Sequence, residues 1–449
     1  MKTLWLGAAS VAALISLSAP ALAADADLAA PRMGTWGFDL AGRDTAVAPS
    51  QDFFEYANGA YLKAMVIPED RSTYGAFNAL QELSQQRMHA IAEKAAANTA
   101  ATGDEAKVGA FYRSFMDQAA VDALGAKPLA GDLAAIKAIG SRDDLAGLMG
   151  GTMRKFGGAF FGAYVHDDAK DPETYAVYLF QGGLGLPDRD YYLEERFKDQ
   201  KAAYEAYVAR LLGMVGWDKP ADYAKAIVAM ETEIAKVSWT RAERRDDDKT
   251  YNPFEVDKLA AYAPGFAWRK FLDSAHLAKA DRVIVAENTA FPKIAAIYAK
   301  TPLDVLKAWS AFQLADQAAP YLSQDFDAAH FEFHGKALSG TPAQQPRWKR
   351  AVATIDNNIG EALGKLYVDA YFPADSKAKM EALVGDIHTA MKGRIEKLDW
   401  MSPPTKAKAL EKLGKFHVKI GYPDKWRDYS GLEVKDGDLY GDVQRAAAF

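Results

Sequence analysis

The chain has 449 residues, of which 49% are hydrophobic and 25% charged, with 54 Lys+Arg against 60 Asp+Glu for a formal net charge of -6. Such a composition excludes wholesale disorder, and the length exceeds what a single hydrophobic core usually serves. The mild acidity provides no electrostatic footprint for nucleic acid, and the lack of any Cys excludes disulfides, thiolate catalysis and Cys-ligated zinc.

Residues 1–23 read as a signal peptide. Lys2 supplies the positive start, Leu4 to Leu17 is apolar, and Ala21-Leu22-Ala23 fits the small-x-small cleavage rule before Ala24. The apolar run falls short of the roughly 20 residues a bilayer span needs, and no later stretch is longer. The expected mature protein is therefore periplasmic or secreted, without a membrane span. Residues 24–48 read as a leader or tether, with packing expected from about Pro49 onward.

From there, apolar residues recur three and four apart, as in Phe77, Leu80, Leu83, Met88 and Ile91, then Val108, Phe111 and Phe115. Further helices are expected over Tyr192 to Val215, Ala221 to Val237, Leu303 to Leu322, Ala351 to Tyr371 and Ser376 to Leu398. The exception is a pair of β-rich runs, Ala159 to Val165 and Tyr175 to Phe180, which reads as one hairpin with Asp167-Asp168 at its tip. No repeat and no linker divides residues 49–449, so the expected fold is mainly α, in one body with one small β-hairpin.

Several strings follow one another in a definite order: Asp52-Phe53-Phe54-Glu55-Tyr56-Ala57-Asn58-Gly59, Ile67-Pro68, Tyr74-Gly75-Ala76-Phe77, Gly185-Leu186-Pro187-Asp188-Arg189-Asp190-Tyr191-Tyr192 and Thr250-Tyr251-Asn252-Pro253. Trp348-Lys349-Arg350, Gly364-Lys365-Leu366-Tyr367-Val368 and Ile420-Gly421-Tyr422-Pro423-Asp424 complete the series. Read locally they are architecture. Gly59 suits a helix stop, and Asp188-Arg189-Asp190 can cap the helix that carries Tyr191 and Tyr192. As an ordered set, they resemble the neprilysin and endothelin-converting-enzyme family of zinc metallopeptidases.

The resemblance implies a two-lobed, mostly helical enzyme in which the N-terminal lobe encloses a chamber and the C-terminal lobe binds one zinc ion. It implies short peptide substrates cleaved at hydrophobic residues. The zinc would be held by His-Glu-x-x-His on one helix, where residues four apart share a face and the Glu stands beside the metal-bound water. None of the seven His here is followed by Glu. The expectation is thus an N-terminal, chamber-forming domain over 49–449, inactive alone, whose partner is its own C-terminal catalytic domain. Phe449 reads as mid-helix.

No catalytic residue and no metal ligand is assigned. His330-Phe331-Glu332-Phe333-His334 places two imidazoles on one helical face, but Glu332 lies about 200° round from His330 and reads as part of an ordinary helix end. Ser376-Lys377-Ala378-Lys379 matches Ser-x-x-Lys, as in penicillin-binding proteins, yet Asp375-Ser376 after Pro373 makes a good helix cap. Arg347-Trp348-Lys349-Arg350 reads as a solvated helix face and Arg244 to Lys249 as a solvated charged turn. For substrate binding the candidate is Arg71. Some family members carry an Arg directly before the Tyr-Gly pair to hold a peptide's carboxylate, where this chain has Thr73. The reading from a different class is a truncated, non-catalytic peptide-binding protein.

Overall fold

The computed structural model describes Leu28 and residues 39–449, so the signal peptide and most of the leader lie outside the described residues. The described residues form two compact units. The smaller comprises residues up to Val66 together with Gly75–Arg87, and the larger comprises Ile67–Tyr74 and Met88–Phe449.

The smaller unit is built on the helix Phe53–Ala64, which opens because the Asp52 carboxylate accepts from the Glu55 N–H at 2.9 Å. Gly59 does not end this helix; it is buried within it, and a Cβ there would lie 2.8 Å from the Cβ of Asp44. Part of the expected tether is packed as well. Asp44 donates its N–H to Tyr56 O at 2.9 Å and pairs with Lys63 at 2.5 Å. The helix Ala76–Ala97 starts in this unit and ends in the larger one. Of its expected apolar face, Met88 and Ile91 are half-buried beside the enclosed Ala92 and Ala95, while Phe77 is 88% exposed.

In the larger unit the expected helices form at Lys198–Met214, Pro220–Val237, Leu303–Ala318, Arg347–Tyr371 and Ala374–Lys397. The first begins later than its pattern indicates, because Asp190–Leu193 and Glu195–Phe197 make separate short turns before it. Two apolar cores hold these helices. One centres on Trp309, Phe312, Tyr204, Phe160 and Phe291, all at most 1% exposed. The other joins Val108, Phe111 and Phe115 of the helix Gly103–Met116 to Ile355, Ile359 and Leu363 of Arg347–Tyr371. Each fully buried Phe contributes roughly 1.5–3 kcal/mol, so the three- and four-residue spacing is what selects these faces.

The hairpin is present, as β1 (Phe161–Asp168) and β2 (Asp171–Gln181), but it is not alone. Two short strands, β3 (Asn252–Glu255) and β4 (Arg282–Val285), extend it into a four-stranded sheet of order β1-β2-β4-β3. β4 runs parallel to β2, with Val177 opposite Val283, and antiparallel to β3. Pro253 is tolerated because β3 is an edge strand. Asp168 is not a solvated tip: it is 1% exposed, accepts from the Tyr251 hydroxyl at 2.6 Å and pairs with Arg282. The Tyr251 bond, helped by the Lys170 N–H and Arg282, holds its carboxyl at about 2. The hairpin end is thereby tied to both added strands. No helix among the described residues is long and apolar enough to cross a membrane.

Candidate functional site

Arg71 lies in the strap Ile67–Tyr74, half-buried, with its N–H donated to Pro68 O at 3.1 Å. The strap is fixed on both sides of Arg71: Glu69 O accepts from the Ala343 N–H at 3.0 Å, and Asp70 pairs with Lys349 at 2.9 Å with both side chains almost enclosed. The basic cluster therefore departs from its expected role as a solvated face. Lys349 holds the strap, Arg350 pairs with buried Asp327 at 2.6 Å, and Arg347 donates to Phe115 O at 2.7 Å. Three cations drawn into ion pairs and carbonyl bonds make this stretch a clamp. Its charges are engaged internally.

The Gly185–Tyr192 string is explained by a residue that no pattern indicated, Glu231 on the helix Pro220–Val237. Its carboxylate is fully buried and accepts from the hydroxyls of Tyr192 at 2.7 Å and Tyr204 at 3.1 Å and from the Trp309 indole N–H at 2.7 Å. Tyr192 in turn accepts from the N–H groups of Gly185 and Leu186 at 3.1 and 2.9 Å. Gly185 is required at that place: a Cβ would stand 1.8 Å from the Tyr204 hydroxyl. Burial pushes Glu231 up to about 7, against three hydrogen bonds that favour its charged form. Enclosed on all sides, it is architecture. The N-cap position of the turn Asp190–Leu193 is Arg189, without a side-chain bond, while Asp188 just before it accepts from the Asp190 N–H at 3.1 Å and pairs with Arg241.

Among the described residues, the Ser376 hydroxyl makes no hydrogen bond to a lysine. It sits inside the first turn of Ala374–Lys397, whose cap is Pro373 without a side-chain bond, and Lys379 pairs with Asp375 at 2.6 Å. It is Lys377 that turns towards the Gly421–Asp424 string, donating to Tyr422 O at 3.2 Å and Asp424 at 3.1 Å.

His330 ends the helix Gln324–His330, and His334 lies in a π-helical turn, Phe331–Leu338, whose wider winding stacks residues four apart almost directly. Their rings are 4.3 Å apart between centroids. A third group joins them from the helix Leu303–Ala318: Asp316 meets His334 Nε2 at 2.8 Å, and the ligating atoms of all three residues lie within 4.8 Å of one another. Burial, reinforced by His334, pulls His330 down to about 4. Burial pushes Asp316 up, but the His334 contact and the Tyr207 hydroxyl hold it below the usual carboxylate range. Glu332 points elsewhere and pairs with Arg210.

These residues do not fit the zinc of a His-Glu-x-x-His peptidase. The spacing is the same, but the Glu between the two His is turned to Arg210 and cannot act as base, and the carboxylate that does reach the shared face, Asp316, stands among the ligating atoms themselves. The i, i+4 pair was visible in the sequence; Asp316, on another helix, carries no signal of its own.

With the helical body, the mixed sheet and the clamped strap described, the chain falls in the class of peptidases: residues 49–423 match the model of peptidase family M13, and the chain belongs to that family. Among curated proteins it is similar to endothelin-converting enzyme-like 1 of Mus musculus, 29% identical over 405 residues, covering 86% of this chain and 52% of that protein. Endothelin-converting enzyme 1 of Rattus norvegicus is 28% identical over 402 residues, with 86% and 52% covered. Among solved structures, Mycobacterium tuberculosis zinc metalloprotease ZMP1 in complex with inhibitor has a TM-score of 0.85 at 35% identity, covering 91% of this chain and 63% of that one. PEPO from Lactobacillus rhamnosis HN001, 21% identical with a TM-score of 0.77 over 90% of this chain and 65% of that one, shares the fold. The chain spans about half the length of the curated relatives it matches.

Proposed function

We propose that the chain is the helical, N-terminal portion of an exported zinc metalloendopeptidase that hydrolyses short peptides at hydrophobic residues, and that it works only together with a zinc-bearing catalytic domain. The observation that carries this reading is the family match over residues 49–423 in a chain that covers 52% of its curated relatives. Zinc would supply a polarised water and a stabiliser for the tetrahedral intermediate; this chain would shape the space in which the peptide lies. Two measurements test the reading. The purified chain should show no chelator-sensitive cleavage of an internally quenched peptide, and the DNA downstream of Phe449 should continue in frame to His-Glu-x-x-His. Zinc-dependent cleavage by residues 24–449 alone would overturn the first part. A stop codon directly after Phe449 would favour the peptide-binding alternative.

The helix Ala374–Lys397 supports a missing partner surface. None of its 24 residues is buried, and Met380, Leu383, Ile387 and Met391, spaced on one face, are 43–58% exposed. An apolar stripe of this kind marks an interaction face. The chain by itself is expected to self-associate. Leu383→Lys with Ile387→Lys should weaken that association about tenfold or more in sedimentation velocity, as loss of roughly 1.5–3 kcal/mol per apolar side chain implies, without loss of helicity. An unchanged sedimentation profile would remove the stripe from the argument. Arg71 is proposed to hold a peptide carboxylate in the complete enzyme. There Arg71→Ala should raise KM about tenfold for substrates with a free carboxylate, the worth of one charge-assisted hydrogen bond, and leave amidated substrates unchanged.

A further inference from the structure

We propose that Asp316, His330 and His334 bind one divalent transition-metal ion of the zinc type, clipping the helix Leu303–Ala318 to the π-turn Phe331–Leu338. Two imidazoles and one carboxylate are a ligand set that zinc favours, and hard cations such as calcium and magnesium do not. The three donors come from three elements, Asp316 from the helix Leu303–Ala318, His330 from the end of Gln324–His330 and His334 from the π-turn that continues it, so an ion here would cross-link the fold.

The distances suit an ion that has yet to draw its ligands in. Donors at 2.0–2.1 Å around a tetrahedral zinc are about 3.3 Å apart. Here the closest donors, on Asp316 and His334, are 2.8 Å apart, and the most distant pair lies within 4.8 Å. The first pair must open by about half an ångström and the others close by about 1.5 Å or less, which side-chain torsions supply without backbone movement. The Asp316 and His334 side chains are 17% and 30% exposed, so an ion can enter and water can complete its shell.

The outer shell is in place. The Tyr207 hydroxyl donates to Asp316 Oδ1 at 2.6 Å and orients the carboxylate, as hydrogen bonds to ligating groups do in metal sites. Arg210, one turn along the same helix, holds Glu332 and so anchors the π-turn between the two His. A metal-free Asp316–His334 pair would account for His334 alone. It leaves His330, stacked close to His334, without a hydrogen bond among the described residues, and it gives no reason for a π-turn, a feature that recurs at functional sites.

The test uses the tag-free chain with Co2+ and Zn2+ as probes. One Co2+ per chain should bind with a d–d spectrum of a nitrogen- and oxygen-ligated site, and Zn2+ should displace it. Asp316→Asn and His330→Ala should each weaken binding at least tenfold. The wild-type chain provides a readout that does not depend on how the variants fold: Zn2+ should protect His330 and His334, and not the other His, from diethyl pyrocarbonate labelling mapped by mass spectrometry. Binding that survives His330→Ala unchanged, a stoichiometry far below one, or equal labelling of His330 and His334 with and without Zn2+ would each overturn the site.

Discussion

Glu231→Ala is expected to lower the unfolding free energy by about 3–5 kcal/mol at neutral pH, the range found when a buried, hydrogen-bonded charge network loses one member. The mutation removes the shared acceptor of two hydroxyls and an indole N–H in the middle of the larger core. Buried donors left without a partner cost about 1–3 kcal/mol each before any rearrangement. Glu231→Gln keeps the volume but presents an amide N–H₂ to groups that are themselves donors, so it too should destabilise. Urea denaturation followed by far-UV circular dichroism reads both.

The pH dependence separates the charge from the packing. Glu231 has its pKa raised from 4.5 to about 7, so between those values the folded chain holds a proton that the unfolded chain has released. Its contribution is fully present below about pH 4.5 and is lost as pH rises through 7, on the order of 3 kcal/mol in all. Asp442, raised to about 6 by burial, acts in the same direction. His330, lowered to about 4, acts oppositely, adding stability as pH rises from about 4 to 6.5. The wild-type profile sums these effects, whereas the difference between wild type and Glu231→Gln isolates one. That difference should shrink between pH 5 and pH 8. A difference that stays constant would show that Glu231 titrates in the folded chain as it does in the unfolded one.

A second large effect is expected where the helices Arg142–Gly151 and Trp268–Ser274 touch backbone to backbone. A Cβ at Gly150 would stand 2.0 Å from the carbonyl oxygen of Phe271, an atom that cannot turn aside. Gly150→Ala must push the two helices apart and should cost about 2–4 kcal/mol, the upper range of overpacking. Gly147, one turn earlier, provides the control. Its nearest neighbour is the Ser274 hydroxyl at 3.4 Å, so Gly147→Ala should be neutral or stabilise by up to about 1 kcal/mol through helix propensity. Thermal or urea midpoints that move in the same direction for both would contradict the close crossing.

What was legible in the sequence was what repeats. Val108, Phe111 and Phe115 announce a buried face because their spacing matches the helical period, and all three are at most 2% exposed. The hairpin was legible because its two runs are β-rich and adjoin. β3 and β4 are four residues each and pair across long separations, so no local pattern marks them. Polar groups were hardest to read. Glu231, Asp168 and Asp316 look like the solvent side of helices or turns, and only their side-chain partners, 18 to 114 residues away, show why they are inside or half-inside. The basic run at 347–350 misled for the same reason, since what neutralises it comes from Asp70 and Asp327. The peptidase family was legible from the ordered strings, and the structure gives those strings their physical content as turns, clamps and close approaches.

The parallel pairing of β2 with β4 bears on how the chain reaches this state. About a hundred residues separate the two strands, and they include the helix that carries Glu231. During synthesis the hairpin's inner edge must wait, with unpaired N–H and C=O groups, until Arg282–Val285 has emerged and the intervening helices have packed. Sheets closed over such separations form slowly, and their open edges recruit other chains. The vulnerable species of this protein is therefore an early one: a hairpin without its neighbour, whose lifetime is set by the rate at which the helical excursion folds back.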